Sequence, residues 1–313
     1  MKLHYSFDKL QEIKNPVVTT GTFDGVHAGH KTILRRLKKL AKDINGETVL
    51  ITFHPHPRRV LYPDTEGKEL LMILSQKEKI ELLGITGLDH LLIIPFTKEF
   101  SKLSSRDFVE DILVGILHAR IVVVGFNHHF GHGREGNFEY LYGLSHKHGF
   151  EVEEIPEQDI QNESVSSTKI RNALLTGNIQ RANAYLDQYY MIKGKVIYNE
   201  KNSRFMAQNV YSMCIDEDIK LIPPDGIYAV RVENEEFSSK GMVSISDWRI
   251  LNNVLNPQIS VDVTIFNQVV NVDGKELRLY FQKNIRELSK TKDPEQIRKQ
   301  INKVRNEIEQ LIF

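Results

Sequence analysis

"VVTTGTFDGVHAGH" occupies residues 17–30 and decides the fold of the first half of the chain. Val17 to Thr20 are all β-branched, as a short buried strand requires. The following "KTILRRLKKLAKD" (31–43) sets Ile33, Leu34, Leu37, Leu40 and Ala41 on one helical face with basic residues opposite. A strand that turns through Gly21, Gly25 and Gly29 into a helix is a βα unit. In an open parallel sheet that turn lies outside the strand's carboxyl end, where ligands bind. Glycines let a phosphate approach the backbone, and the helix start supplies N–H groups and a positive dipole end. His27 and His30 stand three apart in this turn. Two imidazoles there can donate to a phosphate chain and stabilise charge building on a pentacoordinate phosphorus. The Walker pattern GxxxxGK[ST] is absent. The residues alone leave two other readings open: surface histidines beside a tight turn, or a zinc pair, although ligating pairs on a helix usually stand four apart.

Outward from this unit, strand and helix patterns alternate to about residue 155. Strands are expected at "ETVLITF" (47–53), "HLLIIPF" (90–96), "ARIVVVGF" (119–126) and "EVEEIP" (151–156). Between them lie "SQKEKIELL" (75–83), opened by a Ser75/Glu78 capping box, and "NFEYLYGLSHKHG" (137–149), closed by Gly149. A further helix, "SSRDFVEDILVGIL" (104–117), should turn Phe108, Ile112, Leu113 and Ile116 inward. This alternation predicts a doubly wound parallel sheet. Residues 164–187 read as two helices broken at "TGN". Beyond about 190 the texture changes to short strand-like runs with turn signals, which predicts a small antiparallel barrel. A closing helix follows "DP" at 293–294 and carries a stripe of Ile297, Ile301, Val304, Ile308 and Leu311. The boundary is expected near 186–190, giving domains 1–187 and 188–313.

The 313 residues carry 41 basic and 41 acidic side chains, so no global field favours nucleic acid or an anionic membrane. The single cysteine, Cys214, admits no internal disulfide. No run approaches the roughly 18 apolar residues of a membrane span, and the opening residues lack an apolar leader core. A cytoplasmic protein is expected.

Three further stretches bear on chemistry. "TFHPHPRRVL" (52–61) places His56 and Arg58 in a proline-stiffened loop after a strand. "VVGFNHHFGHGREGN" (123–137) repeats the strand–loop–helix geometry. Its His128, His129 and His132 lack a carboxylate or thiolate at ligand spacing, so no metal site is assigned. "SVSSTKIRNAL" (164–174) sets hydroxyls at a helix start with Arg171 one turn on. Alone it reads as an N-cap before an ordinary helix.

Taken together, these motifs resemble a known family. "GTFDGVHAGH" resembles the HxGH signature of the HIGH superfamily of nucleotidyltransferases, and its FDGVHxGH form is similar to the bacterial riboflavin kinase/FAD synthetase family. The resemblance implies a Rossmann-like nucleotidyltransferase domain followed by a β-barrel with a C-terminal helix. It implies that His27, His30 and Arg171 are catalytic, and that Gly21, Phe23, Asp24, Gly25, Gly29, Ser167 and Thr168 bind nucleotide. His56, Asn127 and Phe130 would line the flavin side. "SSTKIR" is similar to the family's SSTxIR motif, with Lys169 replacing the common Arg and so losing a bidentate fork. The implied reaction is attack of the FMN phosphate on the α-phosphorus of magnesium-bound ATP. FAD and pyrophosphate are the products.

The second half is similar to the family's riboflavin kinase barrel in "PPDGIYAVRV" (223–232) and "VDGKELRLYFQKNIRE" (272–287). It departs at the chemistry. The family's HGxxxGRxLGFPTAN stretch is replaced by "GKVIYNEKNSRFMAQN" (194–209), in which Asn209 survives but Ala207 stands for the metal-serving Thr. Asp262 stands where the family has a catalytic Glu. A carboxylate shortened by one methylene moves about 1 Å, and a misplacement of that size can cost about 100-fold. The expectation is an FAD synthetase with an inactive kinase module. The alternatives are the fully bifunctional enzyme, a non-catalytic flavin or nucleotide binder, and a HIGH-superfamily transferase for another substrate. The sequence is silent on oligomeric state.

Overall fold

The computed structural model describes all residues except 9, 127, 158, 161–162, 207–208, 248–258, 267–270, 287–293 and 312–313. By backbone contacts the chain divides into two units. One comprises Met1–Leu71 and Lys79–Ser166, and the other Met72–Glu78 and Ser167–Phe313.

The first unit is built on six parallel strands: β1 (Lys2–His4), β2 (Val17–Thr20), β3 (Thr48–His54), β4 (His90–Pro95), β5 (Ile121–Gly125) and β6 (Glu151–Ile155). Their order across the sheet is β1-β4-β3-β2-β5-β6. From β2 the chain winds outward through β3 and β4, then returns to add β5 and β6 on the other side. The order therefore reverses between β2 and β5, and this is where ligands bind in such sheets. Both loops singled out by sequence, 21–27 and 126–137, leave the carboxyl ends of the two strands that flank this point.

Apolar runs in the strands follow from burial on both faces. Val18, Val49, Ile51, Leu92, Ile94, Val122 and Val124 join Phe108, Val109, Ile112, Leu113, Leu141 and Phe150 in one core layer. Helix α1 (Ala28–Asp43) packs against β2, β3 and β5, burying Leu34, Leu37 and Ala41. Arg36 on its outer side forms a fork on Glu153 of β6, with N–O distances of 2.5 and 2.6 Å. Helix α2 (Pro57–Leu61) follows β3, and α3 (Gln76–Ile85) precedes β4. The expected capping box closes: Ser75 N donates to Glu78 Oε2 at 2.8 Å, and Glu78 N donates to Ser75 Oγ at 3.2 Å.

The stretch 104–117 departs from expectation. A short α4 (Ser105–Asp107) runs into a π-helical stretch, Phe108–Ile116. Leu117 N donates to Ile112 O at 2.9 Å, five residues back. The wider turn rotates the apolar face, so Val109 is buried and Ile116 is 42% exposed. Helix α5 (Phe138–His148) ends as expected on Gly149 in the left-handed region.

The second unit opens with α6 (Ser167–Leu175) and α7 (Ile179–Leu186). Strands β9 (Tyr190–Tyr198), β10 (Val210–Cys214), β11 (Gly226–Glu233), β12 (Ser238–Asp247), β13 (Ile259–Ile265) and β14 (Glu276–Arg286) close an antiparallel barrel in the order β10-β13-β12-β11-β14-β9. A two-stranded ribbon, β7 (Asp159–Ile160) and β8 (Glu163–Ser164), precedes α6. Between β9 and β10 lies α8 (Glu200–Met206), and the chain closes with α9 (Pro294–Gln310). Ile301, Val304 and Ile308 of that helix pack on Ile227, Ala229, Met242 and Phe266, with Leu311 at the margin. The side chain of Ile297, also expected in the stripe, lies outside the described residues.

The second unit also holds a desolvated ion pair. Lys220 Nζ reaches Glu78 Oε2 at 2.7 Å, Ile73 O at 2.6 Å and Met191 O at 2.8 Å. The two side chains are 0% and 1% exposed. Glu78 Oε1 also accepts from Lys193 N at 2.8 Å.

Candidate nucleotide-transfer site

The turn after β2 is backbone-strained. Phe23 and Val26 adopt φ of +48° and +44°, a region that costs a bulky or β-branched residue about 1–3 kcal/mol each. The strain is held by burial: Phe23, Asp24, Val26 and His27 are all buried. The consequence is a stack of three rings. Phe23 lies 4.3 Å from His30 between ring centroids, and His30 lies 3.6 Å from His27, with interplanar angles of 20° and 18°.

His27 is the N-cap of α1, and its Nδ1 accepts the His30 backbone N–H at 3.4 Å. A neutral His27 that accepts at Nδ1 carries its proton on Nε2. The glycine between the histidines follows from the stack, since a Cβ on Gly29 would lie 3.3 Å from two atoms of the His27 ring. Burial, then the neighbouring His27 and Lys79, push the His30 pKa well below the usual imidazole value. His30 is therefore neutral at pH 7. Its Nδ1 is shut off from solvent without a hydrogen-bond partner among the described residues.

Sequence reasoning missed Lys79. It lies on α3, is 5% exposed, and sends Nζ to within 3.3 Å of Thr52 Oγ1 and 3.4 Å of Thr22 O. A lysine amid charged helix residues carries no sequence signal, because its burial depends on how α3 packs.

The second loop at the switch point, after β5, is tied into a small closed form. Phe130 and Gly136 exchange backbone hydrogen bonds at 3.0 Å, and His132 N donates to Leu103 O at 2.8 Å. Phe130 is half-buried against Phe108, with ring centroids 5.7 Å apart. His128 stacks on Phe130 at 5.9 Å. Its Nε2 is buried without a hydrogen-bond partner among the described residues, and burial lowers its pKa to about 4. Asn127 lies outside the described residues. His56 caps α2, accepting from Arg58 N at 3.2 Å. Among the described residues, no group of three or more His, Cys, Asp or Glu side chains comes together as a cation site.

Ser167, Thr168 and Arg171 lie on α6, in the second unit. Thr168 is exposed, whereas Arg171 is only 9% exposed. Asp262, on β13, is 8% exposed, and both its oxygens are engaged. Oδ1 accepts from Ser212 Oγ at 2.6 Å and Oδ2 from Asn202 Nδ2 at 2.7 Å. Asn202 belongs to α8, so the stretch that replaces the family's HGxxxGRxLGFPTAN pattern includes a helix over Glu200–Met206, one side chain of which holds Asp262. Asn209 is exposed, while Ala207 lies outside the described residues.

A parallel sheet whose strand order reverses, with an imidazole pair at a helix start, followed by a closed antiparallel barrel, makes this an α/β domain with an appended barrel. A family model described as FAD synthetase matches residues 9–169, and one described as riboflavin kinase matches residues 186–312. The chain belongs to the riboflavin kinase/FAD synthetase family, and its first module is an FMN adenylyltransferase. Three relatives carry the name bifunctional riboflavin kinase/FMN adenylyltransferase. The protein of Buchnera aphidicola subsp. Schizaphis graminum is 32% identical over 97% of this chain and 98% of its own. That of Bacillus subtilis (strain 168) is 30% identical over 95% and 92%. That of Escherichia coli (strain K12) is 25% identical over 91% and 89%. A crystal structure titled as a macrolide-efflux protein from Streptococcus pneumoniae has the same fold, with a TM-score of 0.89, 24% identity and 99% of each chain covered. No helix among the described residues is long and apolar enough to cross a membrane.

Proposed function

We propose that the protein makes FAD by transferring AMP from Mg-ATP to FMN. An FMN phosphate oxygen attacks the α-phosphorus in line, the bond to the bridging oxygen of the β-phosphate breaks, and pyrophosphate leaves with that oxygen. The observation that carries this reading is the ring stack of His27 and His30 at the start of α1, beside the reversal of the sheet. The imidazoles donate to phosphate oxygens on which charge accumulates, and positioning supplies most of the acceleration. Gly21, Phe23, Asp24, Gly25 and Gly29 shape the nucleotide's approach. Ser167, Thr168 and Arg171 hold the distal phosphates, while His56, Asn127 and Phe130 hold the flavin. Magnesium enters as part of the nucleotide substrate. The two modules are residues 1–187 and 188–313, and the single thiol and absent apolar run fit the cytoplasm.

For the second module the proposal is riboflavin phosphorylation that is absent or strongly reduced. Support comes from the shortened carboxylate of Asp262, engaged by Ser212 and Asn202, and from Ala207 in place of a metal-serving Thr. A second reading, full bifunctionality, is favoured by the riboflavin kinase match over residues 186–312 and by the relatives' shared name.

One experiment addresses both modules. The purified full chain is incubated with Mg-ATP and either FMN or riboflavin, and flavins and pyrophosphate are quantified. FMN should give FAD and pyrophosphate in equal amounts, and a His27→Ala/His30→Ala variant should lose at least about 100- to 1,000-fold of that rate. Native-rate FAD synthesis by the double variant refutes the first proposal. FMN made from riboflavin at a rate matching FAD synthesis refutes the second and leaves bifunctionality.

A further inference from the structure

The imidazole stack depends on a turn that the chain does not favour, and something must hold it. Two non-glycine residues in the left-handed region, Phe23 and Val26, are stable only where the surroundings over-determine them. The hydrogen bonds at the foot of the turn converge on one atom, the carbonyl oxygen of Thr22. It accepts from Thr52 Oγ1 at 3.1 Å and from Lys79 Nζ at 3.4 Å. Lys79 Nζ also lies 3.3 Å from Thr52 Oγ1, so β2's turn, β3 and α3 meet in a triangle of one carbonyl, one hydroxyl and one ammonium. Thr52 is 0% exposed and Lys79 is 5% exposed.

Burying an ammonium is expensive, and a neutral hydrogen bonder would anchor a carbonyl more cheaply. A lysine here therefore suggests a use for its charge. The carboxyl edge of the sheet is where the proposed reaction brings phosphates, and a fixed cation in a poorly solvated place acts strongly on nearby charge. The same charge reaches the imidazole pair. The charged or titratable groups acting on His30 are His27, from its own turn, and Lys79, from α3.

We infer that Lys79 is a positioning residue of the adenylyl-transfer site, its buried ammonium pinning the Thr22 turn and so the posture of the stacked rings of Phe23, His30 and His27. The inference rests on the function proposed above. Its action goes through the turn and the imidazoles, so it belongs to kcat rather than to nucleotide affinity.

The test uses the full chain and three variants, Lys79→Met, Lys79→Arg and Thr52→Val. FAD formation is measured against pH at saturating FMN and Mg-ATP, and melting temperatures are recorded alongside. Lys79→Met should lower kcat about 10- to 100-fold while KM for ATP stays within about threefold. Its acid limb should move to higher pH, because removing a neighbouring positive charge makes an imidazole easier to protonate. Lys79→Arg keeps the charge, so its acid limb should stay at the wild-type position. Thr52→Val removes the hydroxyl from the triangle with little change of shape. It should lower kcat severalfold without moving the acid limb, and it decides the matter if Lys79→Met does not fold. An unchanged kcat in Lys79→Met, or in Thr52→Val where Lys79→Met does not fold, overturns the inference, as does an acid limb that fails to move in a folded Lys79→Met. If the wild-type protein makes no FAD, the functional proposal fails. If wild type is active, His27→Ala/His30→Ala is inactive and Lys79→Met is fully active, only the present inference fails.

Discussion

Replacing Lys220 with methionine tests the energetics of the second unit. Met fills nearly the same volume, so the perturbation is the loss of an ammonium from a site that is 0% exposed. Three acceptors lose the ammonium at once: Glu78 Oε2, Ile73 O and Met191 O. The Tyr190 ring, 4.5 Å from Nζ, loses a cation over its face. Breaking a buried pair by removing one partner costs about 3–5 kcal/mol, because an uncompensated charge is left behind. Here the carboxylate keeps two backbone donors, Ser75 N and Lys193 N, which argues for the lower end. The two carbonyls that lose the ammonium argue for the upper end, so the expected cost is about 4 kcal/mol. Domains are stable by only about 5–15 kcal/mol, so this is a large fraction of what exists. Urea unfolding of Lys220→Met, Glu78→Gln and the double variant measures it. The double variant should cost about 2–3 kcal/mol less than the sum of the singles, because neutralising Glu78 removes the stranded charge. A Lys220→Met cost below about 1 kcal/mol, or strict additivity, would refute the reasoning.

Two other outcomes are expected. His30 and His128 both have pKa values lowered by burial, His128 to about 4, so the folded chain declines protons that the unfolded chain binds near pH 6.5. Stability is then full above pH 6.5 and falls as the pH drops from 6.5 toward 4. His128 accounts for up to about 3 kcal/mol of that fall. His128→Gln should flatten the slope in a denaturant series, and an unchanged slope would count against the burial assigned to that ring. Gly131→Ala places a Cβ 2.5 Å from Ser105 N and 2.6 Å from its Cα at φ +77°. It should raise the KM for FMN at least several-fold while leaving the KM for ATP near its starting value. Equal effects on both would detach the 130–136 loop from the flavin.

The parallel sheet was legible because both its faces are covered, so "VVTT", "VLITF", "LLIIP" and "IVVVG" stand out as apolar runs. The capping box at Ser75 and the Gly149 stop were legible because each rests on contacts within one turn of chain. The inward direction of Ile116 was not, because an i to i−5 bond shifts the helical phase without a local signature. Strand β1 was missed for a related reason. "KLH" is too short to show a period and becomes a strand only by pairing with His90–Leu92. At the site, His27 and His30 announced themselves through glycine spacing, but their stacking on Phe23 depends on positive φ values at Phe23 and Val26 that no propensity predicts. Lys79 and Asn202 were invisible because a side chain's use is decided by the element it lands beside. The helix over 200–206 was hidden for the same reason: what "EKNSRFM" can reach is set by the strand it lies beside, not by its own pattern.

The boundary between the two units falls twice within a single helix's neighbourhood. Glu78 is grouped with the barrel and Lys79 with the parallel sheet, although they share a peptide bond. Met72–Glu78 thus belongs by contact to a unit whose remaining residues begin only at Ser167. No single scission of the gene can therefore yield two halves that each retain all their own residues. A fragment ending at 187 would separate Ile73 and Leu74, now 0% and 4% exposed, from most of the unit with which they are grouped. Splitting the enzyme for separate expression, or recombining its modules with those of a relative, calls for redesigning these seven residues on one side and supplying a substitute for them on the other.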